Sequence, residues 1–513
     1  MEIAPGGLGE SKTRKPWWLL ALGPLLCAVI IAIAPGDEPA IGRMAGIAAW
    51  MAVWWITEVV PVAMTGLLPL ILVPLAGIAP VNDVAVNYGR STIFLFLGGF
   101  MIALALQASG AHRRIALFIV HKVGSQPRRL VLGFMLATWA LSMWISNTST
   151  TMLMLPIALS VLATARDRGA DKQLVTRLGL AVLLGIAYSA NMGGMATLVG
   201  TPPNLAFSRL FVQIFPGAPE VDFLQWMMIA LPFSSVFLVF GWLLLTRVIV
   251  RLPSGELMGG HETIGRLRQE LGAMSRDEIN TMIVFVSTAL LWVTRAGVTL
   301  GSYRIPGWGE LAGPRGSVDD AVVAVAMAML LFIIPSVKRP SERLLEWRMT
   351  TEVPWGILLL FGGGFALAAG FTQSGLSEWA GQQFDSLRDL SPWIVVAAVC
   401  ISLTLLTELT SNIATTEMVL PILAAAAVTL GIDPRLLMIP ATLSASCAFM
   451  MPVATPPAAI VYSTGFVPMR EMVRAGIWFN VLGVALLMLF FWLLAGPVLG
   501  TDLTSFPDWA QSP

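Results

Sequence analysis

Charge is the first thing this 513-residue chain is short of: only 12% of it is Asp, Glu, Lys or Arg, against roughly 25% in a soluble domain. The deficit runs the whole length, which excludes a soluble body carrying a single anchor. With 31 basic and 30 acidic residues the net charge is +1, so nothing points to nucleic acid or to an acidic partner. Cysteine is scarce too. Cys27, Cys400 and Cys447 lie far apart in apolar runs without metal spacing, and they read as small core residues rather than a disulfide. The three histidines, His112, His121 and His261, stand beside basic or loop sequence and read as surface residues. No nucleophile beside a base and no cluster of His with carboxylates stands out, so an intramembrane enzyme lacks its parts.

What the chain has instead is apolar length. Hydrophobic residues make up 56% and the mean hydropathy is +0.79. Apolar stretches recur from residue 17 to 498, and counting full spans at about 20 residues each predicts about eleven transmembrane helices. Several further stretches are too short to span, or are broken by Gly and Pro. Such breaks are tolerated at membrane depth only where the freed backbone is buried in protein or lines a wet cavity. Lys12, Arg14 and Lys15 precede the run from Trp17 to Ala34, which has no small-residue cleavage site. We expect a first transmembrane helix with its basic flank, residues 1–16, kept in the cytoplasm. Residues 17–252 would hold that helix and a first repeat, and 280–500 a second repeat. Between them, 253–279 would form a charged amphipathic linker, and 501–513 a C-terminal tail. The eighteen Trp residues read as interface anchors and packing.

The repeat is visible in the letters. Phe96-Leu-Gly-Gly-Phe100 matches Phe361-Gly-Gly-Gly-Phe365, and Ser109-Gly110 matches Ser374-Gly375. Ser146-Asn147-Thr148-Ser-Thr-Thr-Met-Leu-Met-Leu-Pro156-Ile157 matches Ser411-Asn412-Ile413-Ala-Thr-Thr-Glu-Met-Val-Leu-Pro421-Ile422. All these pairs stand 265 residues apart, which chance apolar similarity does not readily produce. A later pair, Gly200-Thr201-Pro202-Pro203-Asn204 and Ala454-Thr455-Pro456-Pro457-Ala458, stands 254 apart. Two halves, each with a polar interruption and then a Thr-Pro-Pro break, is the pattern of secondary transporters whose discontinuous helices build the site.

The polar interruptions have a chemistry. Ser142 and Ser146 are four apart, so a helix would stack them on one face; Thr407 and Ser411 repeat the spacing. Each half therefore offers two hydroxyls and an Asn carbonyl near a backbone break. Hard oxygen donors without thiol or imidazole suit an alkali cation. Asn amides, Thr hydroxyls and helix N-termini suit a carboxylate. No Lys, Arg or His lies in either motif or beside either Thr-Pro-Pro break. Anion charge would then be balanced by helix dipoles and bound cations. The bland alternative is that these polar residues glue helices together, but two copies at a fixed spacing, each with Pro ten residues after its Ser, count against it.

With Trp54-Trp55-Ile-Thr57-Glu58-Val-Val-Pro61, the paired Ser-Asn motifs and Met451-Pro-Val-Ala-Thr455-Pro456-Pro457, the chain resembles the divalent anion:sodium symporters over nearly its whole length. The resemblance implies an all-α polytopic membrane fold of eleven transmembrane helices, two inverted repeats, and in each a re-entrant hairpin tipped by the Ser-Asn motif and a broken helix. It implies a homodimer in the cell (inner) membrane, working as an elevator and moving succinate-, malate- or fumarate-type dicarboxylates with sodium. At least two sodium sites are implied. The first would use Ser142, Ser146, Asn147 and the Gly200 carbonyl; the second Thr407, Ser411, Asn412 and the Ala454 carbonyl. Substrate carboxylates would meet Asn147, Thr148, Thr201, Asn412 and Thr455, with Pro202 and Pro456 shaping the breaks.

Two residues depart from the pattern. Ile413 stands where many members carry Thr, which removes a hydroxyl from the second carboxylate pocket. Ala458 replaces the Asn found at 204 in the first half. Among the acids, Glu58 reads as a local scaffold residue and Glu408 as a neighbour of the second cation site. Glu417, matched by Met152, reads as a hairpin or lipid-interface residue. A sodium-independent exchanger, or a sulfate or citrate carrier, would share the fold. A passive channel would not need the paired hairpin motifs.

Overall fold

The computed structural model describes residues 16–34, 38–253, 260–300, 303–313, 317–500, 502 and 504–510. The basic N-terminal flank, the side chain of His261, residues 254–259 of the expected linker and the last three residues lie outside this set. The described chain is nearly all helical. A two-stranded antiparallel hairpin, Val298–Leu300 with Tyr303–Ile305, and an isolated bridge between Pro335 and Arg343 are the strand pairings among the described residues.

The chain leads in with α1 (Trp18–Ile33), α2 (Pro39–Thr57) and the short α3 (Leu68–Leu75), beside single helical turns at Val62–Thr65 and Val81–Ala85. The helices that carry the first copy of the matched motifs then run α4 (Ser91–Ser109), α5 (Ala111–Val123), α6 (Pro127–Ser142), α7 (Asn147–Asp167), α8 (Lys172–Met195), α9 (Pro202–Ile214) and α10 (Phe223–Leu243). A surface helix α11 (Gly260–Glu270) packs on α5 and α7. Next come α12 (Arg276–Arg295) and α13 (Asp320–Ile333). The helices matched to α4–α10 follow in the same order: α14 (Trp355–Ser374), α15 (Leu376–Gln382), α16 (Pro392–Leu406), α17 (Asn412–Leu430), α18 (Pro434–Ala445), α19 (Pro456–Ser463) and α20 (Met469–Leu499). The starts of α5 and α15, α6 and α16, and α7 and α17 keep the separation of 265 residues seen in the sequence motifs.

Among the described residues, eight helices are long and apolar enough to cross a membrane. Shorter apolar helices such as α1, α13 and α16 make up the rest of the apolar length. At 1.5 Å per residue, the 13-residue α9, 12-residue α18 and 8-residue α19 fall short of a hydrocarbon core of about 30 Å. These are the broken pieces, and they sit beside the Thr-Pro-Pro sequences.

The matched motifs have matched jobs. Ser109-Gly110 and Ser374-Gly375 end α4 and α14, with Gly110 at φ 86° and Gly375 at φ 78°, the left-handed cap that glycine adopts without a Cβ penalty. Each Ser hydroxyl bonds the carbonyl three residues back and accepts the N–H two residues on. The equivalent glycines Gly98 and Gly363 are contact points for another backbone. A Cβ on Gly98 would stand 2.6 Å from the Ala324 carbonyl carbon, and one on Gly363 would collide with Gly66.

The halves exchange partners. Helix α9 of the first repeat packs on α17 and α18 of the second, while α19 of the second packs on α7 and α8 of the first. Phe96 and Phe361, equivalent positions, stack on each other with centroids 4.2 Å apart. Cys27, Cys400 and Cys447 are free and buried.

Candidate functional site

Each polar interruption is a break between two helices. In the first half α6 ends at Ser142, and α7 begins after Ser146, an N-cap in extended backbone whose hydroxyl accepts from Ser149 N at 3.2 Å. In the second half Thr407 caps the end of α16 and Ser411 precedes α17. The expectation that Ser142 and Ser146, or Thr407 and Ser411, stack on one helical face is not met. Capping requires non-helical dihedrals, so the four residues from hydroxyl to hydroxyl bridge two helices instead of forming one turn. What meets is the hydroxyl and the Asn. Ser142 Oγ donates to Asn147 Oδ1 at 2.5 Å, and Thr407 Oγ1 stands 2.5 Å from Asn412 Oδ1. Ser142 and Thr407 are both wholly buried.

The second half crowds oxygen further. Thr407 Oγ1 also stands 2.7 Å from the Ala445 carbonyl. A hydroxyl has one proton, so it satisfies one of these two acceptors and leaves the other facing an oxygen lone pair. Ser446, next along the chain, is buried with no hydrogen-bond partner for its hydroxyl. A hydroxyl, an amide carbonyl and a peptide carbonyl at these separations form a donor set for a hard cation, which takes oxygen from any of the three. Among the described residues no group of three or more His, Cys, Asp or Glu forms a rival metal site. The carbonyl brought to Thr407 is that of Ala445 at the end of α18; Ala454 lies in the following turn, where its N–H bonds Met451 O at 3.2 Å.

In the first half, glycine makes the equivalent room. A Cβ on Gly194 would stand 2.8 Å from Asn147 Oδ1 and 3.2 Å from the Gly200 carbonyl oxygen, and one on Gly200 would stand 2.5 Å from Gly194 O. Asn147 and the backbone of 194–200 are therefore packed together with no side chain between. Thr197 Oγ1 donates to Met143 O at 2.5 Å, tying the α8 break to the α6–α7 turn.

The two breaks are stabilised differently. After α8, Asn204 Nδ2 reaches the carbonyls of Thr197 at 2.7 Å and Gly194 at 3.0 Å, occupying acceptors that a helix end leaves free. Ala458 has no amide to do this. On that side the carboxylate of Glu408 accepts the N–H groups of Phe449, Met450 and Met451 at 2.8–3.0 Å, and Asn480 Nδ2 at 2.8 Å. Glu408 is 3% exposed; it holds the unwound segment after α18 through charge-assisted bonds. Thr455 Oγ1 caps α19 by accepting from Ala458 N at 3.4 Å.

The first cluster also reaches across to the other half. Asn147 Nδ2 lies 3.4 Å from Asn191 Oδ1, and Asn191 Nδ2 donates to Ala448 O at 3.1 Å. The first oxygen cluster is thus linked to the segment that Glu408 holds. Sequence reading missed Asn191, although an Asn inside the apolar run 178–200 was a signal. It also missed Asn480, an Asn inside the apolar run 474–498, and the Ala445 carbonyl, for which the letters carry no signal.

The remaining candidates are disposed as follows. Asn147, Thr148, Asn412 and Ile413 are half-buried at the starts of α7 and α17. Thr201 and Thr455 are each 5% exposed, immediately ahead of Pro202 and Pro456, the first residues of α9 and α19. Glu417 departs from expectation: it is completely buried, not at a lipid interface, and neither carboxyl oxygen has a hydrogen-bond partner. His112 is half-buried, with Nδ1 3.1 Å from Leu106 O, rather than on the surface.

A repeat-built helical membrane protein, with paired broken helices and oxygen clusters at the breaks, defines a secondary transporter architecture. Two solved structures have this fold at 13% identity. One is Neisseria gonorrhoeae MtrF, from a study of a class of antimetabolite efflux pumps, at TM-score 0.56 over 81% of this chain and 85% of that one. The other is the Alcanivorax borkumensis YdaH transporter, at TM-score 0.52 over 94% and 98%. A family profile described as the sodium:sulfate symporter transmembrane region matches residues 14–500. The sodium-dependent dicarboxylate transporter SdcS of Staphylococcus saprophyticus is 38% identical over 492 residues, covering 94% of this chain and 92% of that protein. SdcS of Staphylococcus aureus strain MRSA252 is 38% identical over 505 residues, covering 96% and 95%. The chain belongs to the divalent anion:sodium symporter family, and it is a multi-pass membrane protein.

Proposed function

We propose that this protein is a secondary active transporter that carries small dicarboxylates of the succinate, malate and fumarate type together with sodium ions. The observation that carries the reading is the duplicated oxygen pair, Ser142 with Asn147 and Thr407 with Asn412, each at 2.5 Å in a partly buried helix break. Sodium would be held in the first half by Ser142, Ser146, Asn147 and the Gly200 carbonyl. In the second half it would be held by Thr407, Ser411, Asn412 and peptide carbonyls from the segment running from Ala445 to Ala454. The names of the 38%-identical relatives support both cargoes, while the family description keeps sulfate as the competing anion.

Charge bookkeeping explains the coupling. A dicarboxylate carries two negative charges and the motifs contain no basic side chain, so two bound sodium ions would offset the charge of the anion. The N-termini of α7, α9, α17 and α19 add roughly half a positive charge each. Asn147, Thr148, Thr201, Asn412 and Thr455 supply donors to the carboxylates, and Ile413 withholds one hydroxyl. A cation drawing Asn147 or Asn412 carbonyl oxygen to itself leaves the amide N–H2 to face the anion. Each ligand thereby raises the other's affinity by the same factor.

In the same reading the two repeats are inverted, the protein is a homodimer of the inner membrane with its N-terminus cytoplasmic, and the half-helices ride as one body in an elevator motion. Asn147→Ala and Asn412→Ala are each expected to abolish sodium-driven uptake while the protein still elutes as a folded species. Near-normal uptake by both variants would remove the proposed site.

A further inference from the structure

Glu417 is the one acid among the described residues that is completely buried with both carboxyl oxygens unpartnered. It lies on α17 five residues after Asn412, outside the cation cluster. Its neighbour is bare backbone: Gly364 of α14 comes so close that a Cβ there would collide with Oε2. Only glycine admits the carboxyl at this place, in the Phe-Gly-Gly-Gly-Phe motif. The equivalent residue of the first repeat, Met152, is 54% exposed, so the acid has no counterpart.

No partner for a negative charge faces it. Helix α14 contains no ionisable residue. Of the other elements packed on α17, α9 carries Arg209, α2 carries Arg43, whose Nη1 donates to Ala76 O, and α15 carries Glu378. Helix α18 carries Arg435, paired at 2.6 Å with Asp433, and the turn after α15 carries Asp385, paired at 3.0 Å with Arg388. None of these makes an ion pair with Glu417. An unpaired carboxylate away from water costs several kcal/mol, whereas the neutral acid costs far less. The position is also a seam. Ala414 and Met418 pack into a cluster with residues of α2, α3 and α14, while Leu420, Leu423, Ala424 and Ala427 belong to the main core.

We propose that Glu417 is a proton-binding site, its carboxyl holding a proton while α17 is seated on the glycines of α14 and exchanging it with water when the two helices separate. The separation rests on the transport reading above; the bound proton does not. The proton comes from bulk water and returns to it, and the carboxyl oxygen is the only group that changes charge. Intramembrane acids are functional candidates by default, and this one has a proton as its smallest fitting ligand.

The test uses the full-length protein and Glu417→Gln, a neutral isostere, with two readouts. The first is an infrared difference spectrum at about pH 8, well above the range where ordinary carboxyls titrate. Wild type should show the C=O stretch of a neutral carboxylic acid that Glu417→Gln lacks; no such difference overturns the proposal. The second is sodium-driven uptake of labelled succinate at equal pH on both sides, between about pH 6.5 and 9. Wild-type uptake should decline on the alkaline side, by up to about tenfold per pH unit for one proton, and Glu417→Gln should be flat. Superimposable profiles overturn the proposal. A wild type that moves no succinate defeats the substrate reading instead, and the infrared difference still decides Glu417. Glu417→Met, which installs the residue of the first repeat, replaces the Gln variant if that one does not fold.

Discussion

Replacing Thr407 by Val tests the second oxygen cluster with the least disturbance. The side chains are nearly the same shape, so the change removes one buried hydroxyl and little packing. Without a cation, the loss takes away the proton that one buried acceptor receives, offset in part by relief of the second oxygen–oxygen contact, so it costs about 1 kcal/mol. Thr407 Oγ1 stands 2.5 Å from Asn412 Oδ1 and 2.7 Å from Ala445 O, and its single proton serves one of them. With a cation, the hydroxyl is a ligand, and losing an oxygen that interacts with a charge costs about 1.5–3 kcal/mol. That corresponds to a sodium affinity weaker by about 10- to 150-fold. The assay is the sodium dependence of dicarboxylate uptake into proteoliposomes at saturating substrate. The half-saturating sodium concentration should rise by that factor, with uptake recovering at high sodium and only a small fall in thermal stability in sodium-free buffer. An unchanged sodium requirement in a folded Thr407→Val protein would refute the reasoning.

Three further outcomes follow from the same geometry. Glu408→Ala leaves the N–H groups of Phe449, Met450 and Met451 without their acceptor. At about 1–3 kcal/mol for a buried donor left unsatisfied, this should show as a clear fall in melting temperature together with loss of transport, a larger thermal effect than Asn412→Ala. Asn191→Leu breaks the link from Asn147 to Ala448. At about 0.5–1.5 kcal/mol per hydrogen bond, the sodium requirement should rise about 2- to 10-fold, and sodium should enhance substrate binding less in a titration of the purified protein. Glu278, in the first turn of α12 ahead of its apolar run, is pushed up by burial, but bonds donated by Arg114 and by the Ser275 N–H outweigh this and hold its carboxyl at about 2, against an ordinary 4.5. A depressed folded-state value contributes stability that is present above about pH 4.5 and is lost as the pH falls toward 2. Melting temperature should therefore fall across that window in wild type, and fall less in Arg114→Met.

Much of this was written in the letters, because membrane folds and repeats write themselves periodically. Length of apolar runs marked the helices, and the 265-residue separation marked α5 with α15, α6 with α16 and α7 with α17. The Ser-Asn and Thr-Pro-Pro motifs marked the breaks because polar and helix-breaking residues cannot sit idle in an apolar run. What stayed hidden depends on partners distant in sequence. Ser142 and Ser146 share a helical spacing, yet the N-cap geometry of Ser146 sends them to different places. Asn204 in one half and Glu408 in the other do related work at the breaks, which no alignment of the two repeats suggests, since Ala458 occupies the aligned position. Glu417 looks like an interfacial acid beside Met152; only the approach of Gly364, set by helix packing, shows it to be buried.

The central claim is that bound sodium completes an anion site in this protein. Its most direct measurement is radiolabelled succinate uptake into empty proteoliposomes under an inward sodium gradient, beside equimolar potassium or choline, with parallel vesicles preloaded with unlabelled dicarboxylate. Uptake into empty vesicles that requires sodium is the predicted result. Uptake only into preloaded vesicles, indifferent to sodium, would contradict it and make the protein an exchanger on the same fold.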